Sequence, residues 1–292
     1  MRTRSPAKIN LWLKILGRRP DGFHQLNTLM IPLSLADSMT FERAEKGIRL
    51  NCSDLTLPTD ERNLVVRAAL ALQKKFGVRA GARIMLRKSV PVGGGLGGGS
   101  SNAATTLVAL NQFWKLGAND AELLEIASAL GSDVAFFLQS KPALCEGRGE
   151  IVTSVECVGA LSKCWFVLVN PSFGVSTKWA YQHSGAKKVP SPKSKVQSPK
   201  SEVLGVALPE DVGKLARLLE NSLEKPVFTK FPLLALLKRS LLRHGALGAA
   251  MSGSGATVFG IVRSRADGDR VARALRAEFG PTLWTCVARP IE

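Results

Sequence analysis

The sequence is poor in the side chains that build covalent cross-links and metal clusters. It has three histidines, one tyrosine and five cysteines among 292 residues, and no two cysteines form a C-x-x-C pair. The cysteines are Cys52, Cys145, Cys157, Cys164 and Cys286, and the histidines are His24, His183 and His244. This odd, dispersed set predicts free thiols in a reducing cytoplasm, and it argues against a disulfide framework or a zinc site.

Long apolar segments are also missing. No stretch approaches the roughly 18 uninterrupted apolar residues that a membrane-spanning helix needs. The basic residues 1–6 precede an apolar stretch that is broken by Lys14, and no small-residue cleavage pattern follows, so we expect no signal peptide. With 45% apolar and 22% charged residues, the composition predicts a globular cytoplasmic protein, either a monomer or a homodimer, without a membrane partner.

Acidic residues are few relative to basic ones. The 40 basic and 23 acidic side chains give a formal charge of +17, which would attract a phosphorylated metabolite or a nucleic acid. Part of the excess lies in residues 184–202, which contain five lysines and one glutamate. This lysine- and proline-rich segment has few large apolar groups, so we predict a flexible surface insertion.

Hydrophobic periodicity and turn residues predict a mixture of strands and helices without strict alternation, which is typical of an α+β fold. Residues 8–15 alternate as a strand, with Lys8 and Asn10 on the face away from the core. Asp60 is expected to cap a helix over residues 61–76, and Asn119 with Glu122 has capping-box spacing. Further strands are predicted over 82–90, 165–169, 257–262 and 283–288, and further helices over 212–219, 230–244 and 266–279.

The most informative segment is residues 91–104, PVGGGLGGGSSNAA. Six glycines in seven residues allow the backbone N–H groups to approach a ligand closely. Ser100, Ser101 and Asn102 are good N-cap residues, and helix-forming residues follow them. Glycines that lead into a helix N-terminus predict a phosphate-binding site.

Several known nucleotide-binding motifs are absent. No lysine follows the glycines as in a Walker A loop, and neither H-R-D nor D-F-G of the protein kinases occurs. Residues 93–98 satisfy G-x-G-x-x-G, but a run this rich in glycine would match by accident. Asp120, near the distance expected for the acidic residue of that fingerprint, begins a predicted helix instead of ending a strand.

Three motifs together resemble the GHMP kinases. They are PAKIN at residues 6–10, PVGGGLGGGSS at 91–101 and SGSGA at 252–256, and their order spans nearly the whole chain. The resemblance implies a two-domain fold with the active site in the cleft between the domains. It implies an N-terminal ATP-binding domain, 1–160, like domain 2 of ribosomal protein S5, and a ferredoxin-like substrate-side domain, 161–292, that contains the insertion.

Within the family, the segments DGFH at residues 21–24 and GSDVAFF at 131–137 resemble members that act on a cytidine diphosphate-linked methylerythritol. The resemblance therefore implies ATP-dependent phosphorylation of a hydroxyl of this small molecule in the non-mevalonate route to isoprenoid precursors. It makes Asp133 the catalytic base and Lys8 a cation that favours the carboxylate anion and the developing alkoxide. Mg²⁺ is expected with ATP, without a protein ligand that the sequence identifies.

The resemblance also implies two sets of binding residues. The ATP-binding set is Asn63, Lys88, Pro91, Val92, Gly93, Gly94, Gly95, Leu96, Gly97, Gly98, Gly99, Ser100 and Ser101. The substrate-binding set is Asn10, Phe23, His24, Thr177, Tyr181, Gly253, Ser254 and Gly255. In the second set, the aromatic rings would stack on the cytosine, His24 would bind its edge, and the second glycine turn would line the diphosphate.

Two alternatives stay open at this point. One is a GHMP kinase of the homoserine or mevalonate type, although these kinases lack the aromatic-histidine turn at residues 23–24. The other is a basic anion- or RNA-binding protein on the same fold, which the charge of +17 would suit. Both Lys8 and Asp133 are retained, aromatic residues make up only 6%, and no RNA-stacking motif occurs, so nucleic acid is the weaker prediction.

Overall fold

The computed structural model describes residues 1–189 and 208–291. These residues form two compact units. The first contains Met1–Lys8, Ser34–Val92 and Gly97–Ser140; the second contains Ile9–Leu33, Gly93–Leu96 and the described residues from Lys141 onward. The domain boundary predicted at residue 160 stays a prediction, and residues 190–202 of the predicted insertion lie outside the described part.

The first unit contains four α-helices, the last of them short, and part of a β-sheet. Its elements are β1 (Arg2–Arg18) as far as Lys8, β2 (His24–Ala44) from Ser34, β3 (Ile48–Cys52), α1 (Leu64–Phe76), β4 (Gly81–Arg87), α2 (Gly98–Phe113), α3 (Asp120–Leu130) and α4 (Ser132–Gln139). β4 pairs antiparallel with β2 and parallel with β3. The helices pack on one another, and α1 also packs on β3.

The second unit contains the remaining parts of β1 and β2 and a separate antiparallel sheet. Its further elements are β5 (Ala143–Gly147), β6 (Ile151–Ser154), α5 (Ala160–Lys163), β7 (Trp165–Asn170), α6 (Thr177–Gln182), α7 (Val212–Ala216), β8 (Glu220–Asn221), α8 (Glu224–Lys230), α9 (Pro232–Arg243), β9 (Gly248–Met251), β10 (Val258–Val262), α10 (Arg265–Phe279) and β11 (Trp284–Ala288). The separate sheet has the order β11-β7-β10-β9, with α9 and α10 packed on it. Its core consists of aliphatic side chains such as Val167, Leu237 and Val271. The predicted α+β class is confirmed.

Several predicted elements need correction. α1 begins at Leu64 because Asn63, not Asp60, accepts the N-cap hydrogen bond, from Val65 N. Asp60 instead accepts hydrogen bonds from Arg62. The helix predicted over 230–244 is α9, which begins two residues later, at Pro232, because Lys230 ends the separate helix α8.

Other local predictions are confirmed. Asn119 and Glu122 form a reciprocal capping box at the start of α3, and α3 ends at Gly131. All five cysteines are free thiols. Among the described residues, no helix has both the length and the apolar composition needed to cross a membrane.

One glutamate joins α9 to α10 in the second unit. The carboxylate of Glu278 forms an ion pair with Arg243, accepts a 2.5 Å hydrogen bond from Ser240 Oγ and lies 3.0 Å from Nε2 of His244. The bond with Arg243, followed by those with Ser240 and His244, lowers the pKa of Glu278 from 4.5 to about 2.

Replacing Glu278 with glutamine tests this link. We expect the free energy of unfolding near neutral pH to fall by about 1 kcal/mol, because the carboxylate is partly exposed to solvent. The pKa is lowered in the folded state, so the stabilisation is full above pH 4.5 and is lost as the pH falls towards about 2. Urea unfolding at neutral pH and near pH 3.5 should show the difference between wild type and Glu278→Gln shrinking with acidification. An equal difference at both pH values would contradict this assignment.

Candidate active site

In the first unit, a lysine, an aspartate and a helix N-terminus come together. Nζ of Lys8 lies 3.7 Å from Oδ2 of Asp133. A Cβ atom added at Gly97, the N-cap of α2, would lie 3.1 Å from Cγ of Lys8 and 2.8 Å from Cε2 of Phe137 on α4. Lys8 therefore lies between the start of α2 and the carboxylate, so a phosphate at the helix N-terminus would meet both positive charge and a base.

Burial distinguishes the two members of this pair. Lys8 is 3% exposed, whereas the Asp133 side chain is 34% exposed. The prediction that Lys8 and Asn10 lie on an exposed strand face is wrong, because Asn10 is also buried, at 1%. Asp133 lies in the first turn of α4, whose N-cap is Gly131.

The glycine-rich loop begins α2 earlier than the sequence predicts. The N-cap is Gly97, at φ +69°, and Ser100, Ser101 and Asn102 all lie inside the helix. The backbone of Gly97 is in the left-handed region, which favours a residue without Cβ. The loop therefore ends at a glycine, which has no side chain that could cap the helix. The first-turn N–H groups of α2 are thus available without a side-chain cap at Gly97.

In the second unit, Gly93–Leu96 pack against the second glycine turn. Thr257 N donates to Gly94 O at 3.1 Å, and Ser252 Oγ donates to Gly95 O at 3.0 Å. A Cβ at Gly95 would lie 2.1 Å from Ser252 O. Glycine is required there by the close approach of two backbones.

The same unit brings four of the predicted substrate-binding residues together in two pairs. The rings of His24 and Tyr181 lie 5.3 Å apart at 36°, and the hydroxyls of Thr177 and Ser254 are hydrogen-bonded at 2.9 Å. Phe23 is 51% exposed. Burial, and to a lesser extent the charge of Arg18, lower the pKa of His24 below its usual value.

Asn63 and Lys88, predicted to lie around the adenosine, already have structural partners in the first unit. Asn63 caps α1 and donates to Pro58 O at 2.8 Å. Lys88 forms an ion pair with Asp37, and its Nζ lies 3.4 Å from Oδ1 of Asn102. Their roles in ATP binding stay predictions.

Sequence reasoning missed three polar residues that support these loops. Asp37 lies under the start of the glycine-rich loop, where it accepts hydrogen bonds from Ser89 N and Val90 N. Asn221 donates to Met251 O and Gly253 O and so holds the second glycine turn. Arg148 places its guanidinium carbon 4.8 Å from the centre of the Phe23 ring. Asp37, an isolated acid in an alternating apolar segment, was the one detectable signal.

The start of α2 gives a test of the local geometry. Gly97→Ala adds a methyl group against Phe137 and Lys8 at a positive φ, so we expect a loss of about 2 kcal/mol in unfolding free energy. Gly99→Ala is the matched control, because its Cβ would lie no closer than 3.9 Å to its nearest neighbour, Leu64. Chemical unfolding of both variants measures the difference. Equal stability of Gly97→Ala and wild type would show that this packing is wrong.

Comparison with known proteins agrees with the three motifs. Residues 63–141 match the GHMP kinases N terminal domain, and residues 206–281 match the GHMP kinases C terminal domain. The chain is 39% identical to a 4-diphosphocytidyl-2-C-methyl-D-erythritol kinase of Gloeobacter violaceus, over 98% of this chain and 93% of that protein. It is 42% identical to the kinase of the same name from Syntrophotalea carbinolica, over 97% and 96%.

Solved structures give the same picture. The crystal structure of a 4-(cytidine 5'-diphospho)-2C-methyl-D-erythritol kinase matches with a TM-score of 0.77 and 32% identity, covering 100% of both chains. A homoserine kinase from Cytophaga hutchinsonii matches with a TM-score of 0.74 at 20% identity, covering 100% of this chain and 94% of that one, which shows the shared fold alone. The chain therefore belongs to the GHMP kinases, within the family of 4-diphosphocytidyl-2-C-methyl-D-erythritol kinases.

Proposed function

We propose that this protein transfers the γ-phosphate of ATP to the 2-hydroxyl of 4-diphosphocytidyl-2-C-methyl-D-erythritol, in the non-mevalonate route to isoprenoid precursors. The observation that carries the proposal is the meeting of Lys8, Asp133 and the N-terminus of α2 in the first unit. Phosphoryl transfer needs an oriented hydroxyl, an acceptor for its proton and positive charge around the transferring group. These three features supply the acceptor and the charge.

In this mechanism, the substrate oxygen attacks the γ-phosphorus while the bond to the departing ADP breaks. The hydroxyl proton passes to the carboxylate of Asp133, whose side chain is partly exposed. The ammonium of Lys8 stabilises the carboxylate before the transfer and the developing alkoxide during it. The N–H groups of Gly98–Ser100, at the start of α2, bind phosphate oxygens, while Ser101 N already donates to Gly97 O.

Mg²⁺ would neutralise the charge of the ATP oxygens. No group of three or more His, Cys, Asp or Glu side chains suited to a metal occurs in the described ranges 1–189 and 208–291. We propose that the ion is held chiefly by the nucleotide and by water, because Mg²⁺ usually keeps several of its waters and binds substrate phosphates. The five free thiols support the reducing cytoplasm as the place of the reaction.

We assign the cytidine diphosphate end of the substrate to the second unit. Phe23 and Tyr181 would stack on the cytosine ring, and His24 would bind its polar edge. A neutral imidazole has one donor and one acceptor, which suits a cytosine edge that presents both. Thr177, Ser254 and the neighbouring glycines would hold the diphosphate, and Asn10, bonded to Thr28 Oγ1 at 2.8 Å, would orient the alcohol.

Removing the base tests the reaction. Asp133→Asn keeps the shape of the side chain but cannot take the proton, so we expect kcat to fall by about 10²–10⁴ while the KM for ATP changes little. Asp120→Asn, an exposed first-turn acid of α3, is the matched control for loss of charge and should keep wild-type kcat. ATP-dependent turnover is measured with the cytidine substrate, and homoserine and mevalonate serve as control substrates.

Two outcomes would contradict the proposal. Wild-type kcat in Asp133→Asn would remove its role as the base. Folded wild-type protein that binds ATP but turns over none of the three substrates would overturn the substrate assignment. Filter binding to RNA at rising salt would then test the anion-binding alternative.

The lowered pKa of His24 predicts a pH dependence for substrate binding. Because the pKa lies below 6.5, the neutral ring predominates at pH 6.5 and the charged ring predominates only at lower pH. We expect the KM for the cytidine substrate to rise by less than about twofold down to pH 6.5 and severalfold below it, with the KM for ATP unaffected. His24→Gln should lose this pH dependence. A rise that starts above pH 7, or one that persists in His24→Gln, would contradict the assignment.

A further inference from the structure

A buried carboxylate lies beneath the glycine-rich loop in the first unit. Asp37 on β2 has no exposed surface. Its Oδ1 accepts hydrogen bonds from Ser89 N at 2.7 Å and Val90 N at 2.9 Å. Its Oδ2 accepts one from Asn102 Nδ2 at 3.0 Å and forms an ion pair with Lys88. The carboxylate thus has four protein donors.

These donors come from both sides of the loop. Ser89 and Val90 directly precede Pro91, where the loop starts, and Asn102 lies in the second turn of α2, after the loop has ended. The start of the helix also packs on the same region, since a Cβ at Gly98 would lie 3.1 Å from Cγ1 of Val90. One side chain therefore ties the chain entering the loop to the helix that leaves it.

The hydrogen bonds continue from Asn102 to β1. Asn102 Nδ2 donates to Ser5 Oγ at 2.9 Å, and Ser5 Oγ donates to Ser101 Oγ at 2.8 Å. Ser5 lies on β1, three residues before Lys8. The network thus joins three parts of the first unit that carry phosphate-transfer groups: the loop, α2 and the strand of Lys8.

Burial of the Asp37 carboxylate costs free energy that its hydrogen bonds and ion pair must offset. A buried carboxylate is stable only when charge and hydrogen bonds compensate it, and removing one partner leaves the others unsatisfied. Asparagine in place of Asp37 could still accept from Ser89 N and Val90 N through its oxygen. Its NH₂ group would then face Lys88 Nζ and Asn102 Nδ2, both of which are donors.

Resting on the proposed function, we propose that Asp37 is a positioning residue for phosphoryl transfer, which holds the glycine-rich loop and the N-terminus of α2 in the arrangement that binds the phosphates of ATP. Asp37 touches no substrate. It acts through the backbone of Ser89 and Val90 and through Asn102. A role confined to stability would lower the melting temperature and leave the kinetics of the folded enzyme unchanged.

The test compares Asp37→Asn with Asp60→Asn, an exposed acid of the same unit that bonds locally to Arg62. Below the melting temperature, we expect Asp37→Asn to raise the KM for ATP at least fivefold and to lower kcat at least tenfold. The KM for the cytidine substrate should stay within twofold. The dissociation constant of a non-hydrolysable ATP analogue, measured by calorimetry, should rise in parallel. Asp60→Asn should match wild type in every measurement.

A second variant covers the case in which Asp37→Asn does not fold. Asn102→Ala leaves the bonds of Asp37 to Ser89, Val90 and Lys88 in place and removes its link to α2, together with the contacts of Asn102 with Ser5 Oγ and Lys88 Nζ. We expect it to weaken binding of the ATP analogue at least threefold. Unchanged analogue affinity and kcat in a folded Asp37→Asn, or in Asn102→Ala, would overturn the proposal. Because the affinity is measured without turnover, this result is distinct from a wild-type enzyme that fails to phosphorylate the cytidine substrate, which would contradict the proposed function instead.

Discussion

The first unit depends on the burial of two lysine side chains, since each positive charge removed from water needs a compensating anion. Lys8 is almost fully buried and pairs with Asp133, while Lys88 is nearly as buried and pairs with Asp37. The first pair ties β1 to α4, and the second ties the residue that follows β4 to β2. The positions of these lysines are therefore fixed by electrostatics as well as by packing.

The carboxylates of the two pairs differ in whether they can accept a proton from a substrate. Asp37 is fully buried and accepts from two backbone N–H groups, one amide and one ammonium, so its acceptor positions are occupied by the protein. Asp133 is a third exposed, and its partner lies at 3.7 Å, which is longer than a hydrogen bond. A proton acceptor must be reachable by the substrate and must keep a lone pair for it. Exposure and partner distance thus favour the reactive role proposed for Asp133 and the supporting role proposed for Asp37.

An interaction can be predicted from the sequence when its partners lie close together in the chain. The capping box of Asn119 was predictable because both of its partners lie within three residues. The burial of Lys8 was not, because strand alternation shows which residues share a face but not whether a second layer covers that face. Asp37 was missed because its donors lie 51 to 65 residues away in the chain. The motifs located the glycine-rich loop that is proposed to bind phosphate, whereas the contacts that hold this loop are visible only in the fold.

The glycine run illustrates how several separate constraints can produce one motif. Gly95 is required by the backbone of Ser252 in the second unit, and Gly97 by its left-handed conformation and by Phe137 in the first. Gly99, by contrast, has room for a methyl group, so neither space nor backbone conformation requires glycine there. A Cβ at position 99 would nevertheless stand in the first turn of α2, beside the N–H groups assigned to phosphate. Folding therefore accounts for Gly95 and Gly97, whereas the proposed binding of a phosphate would account for glycine at position 99.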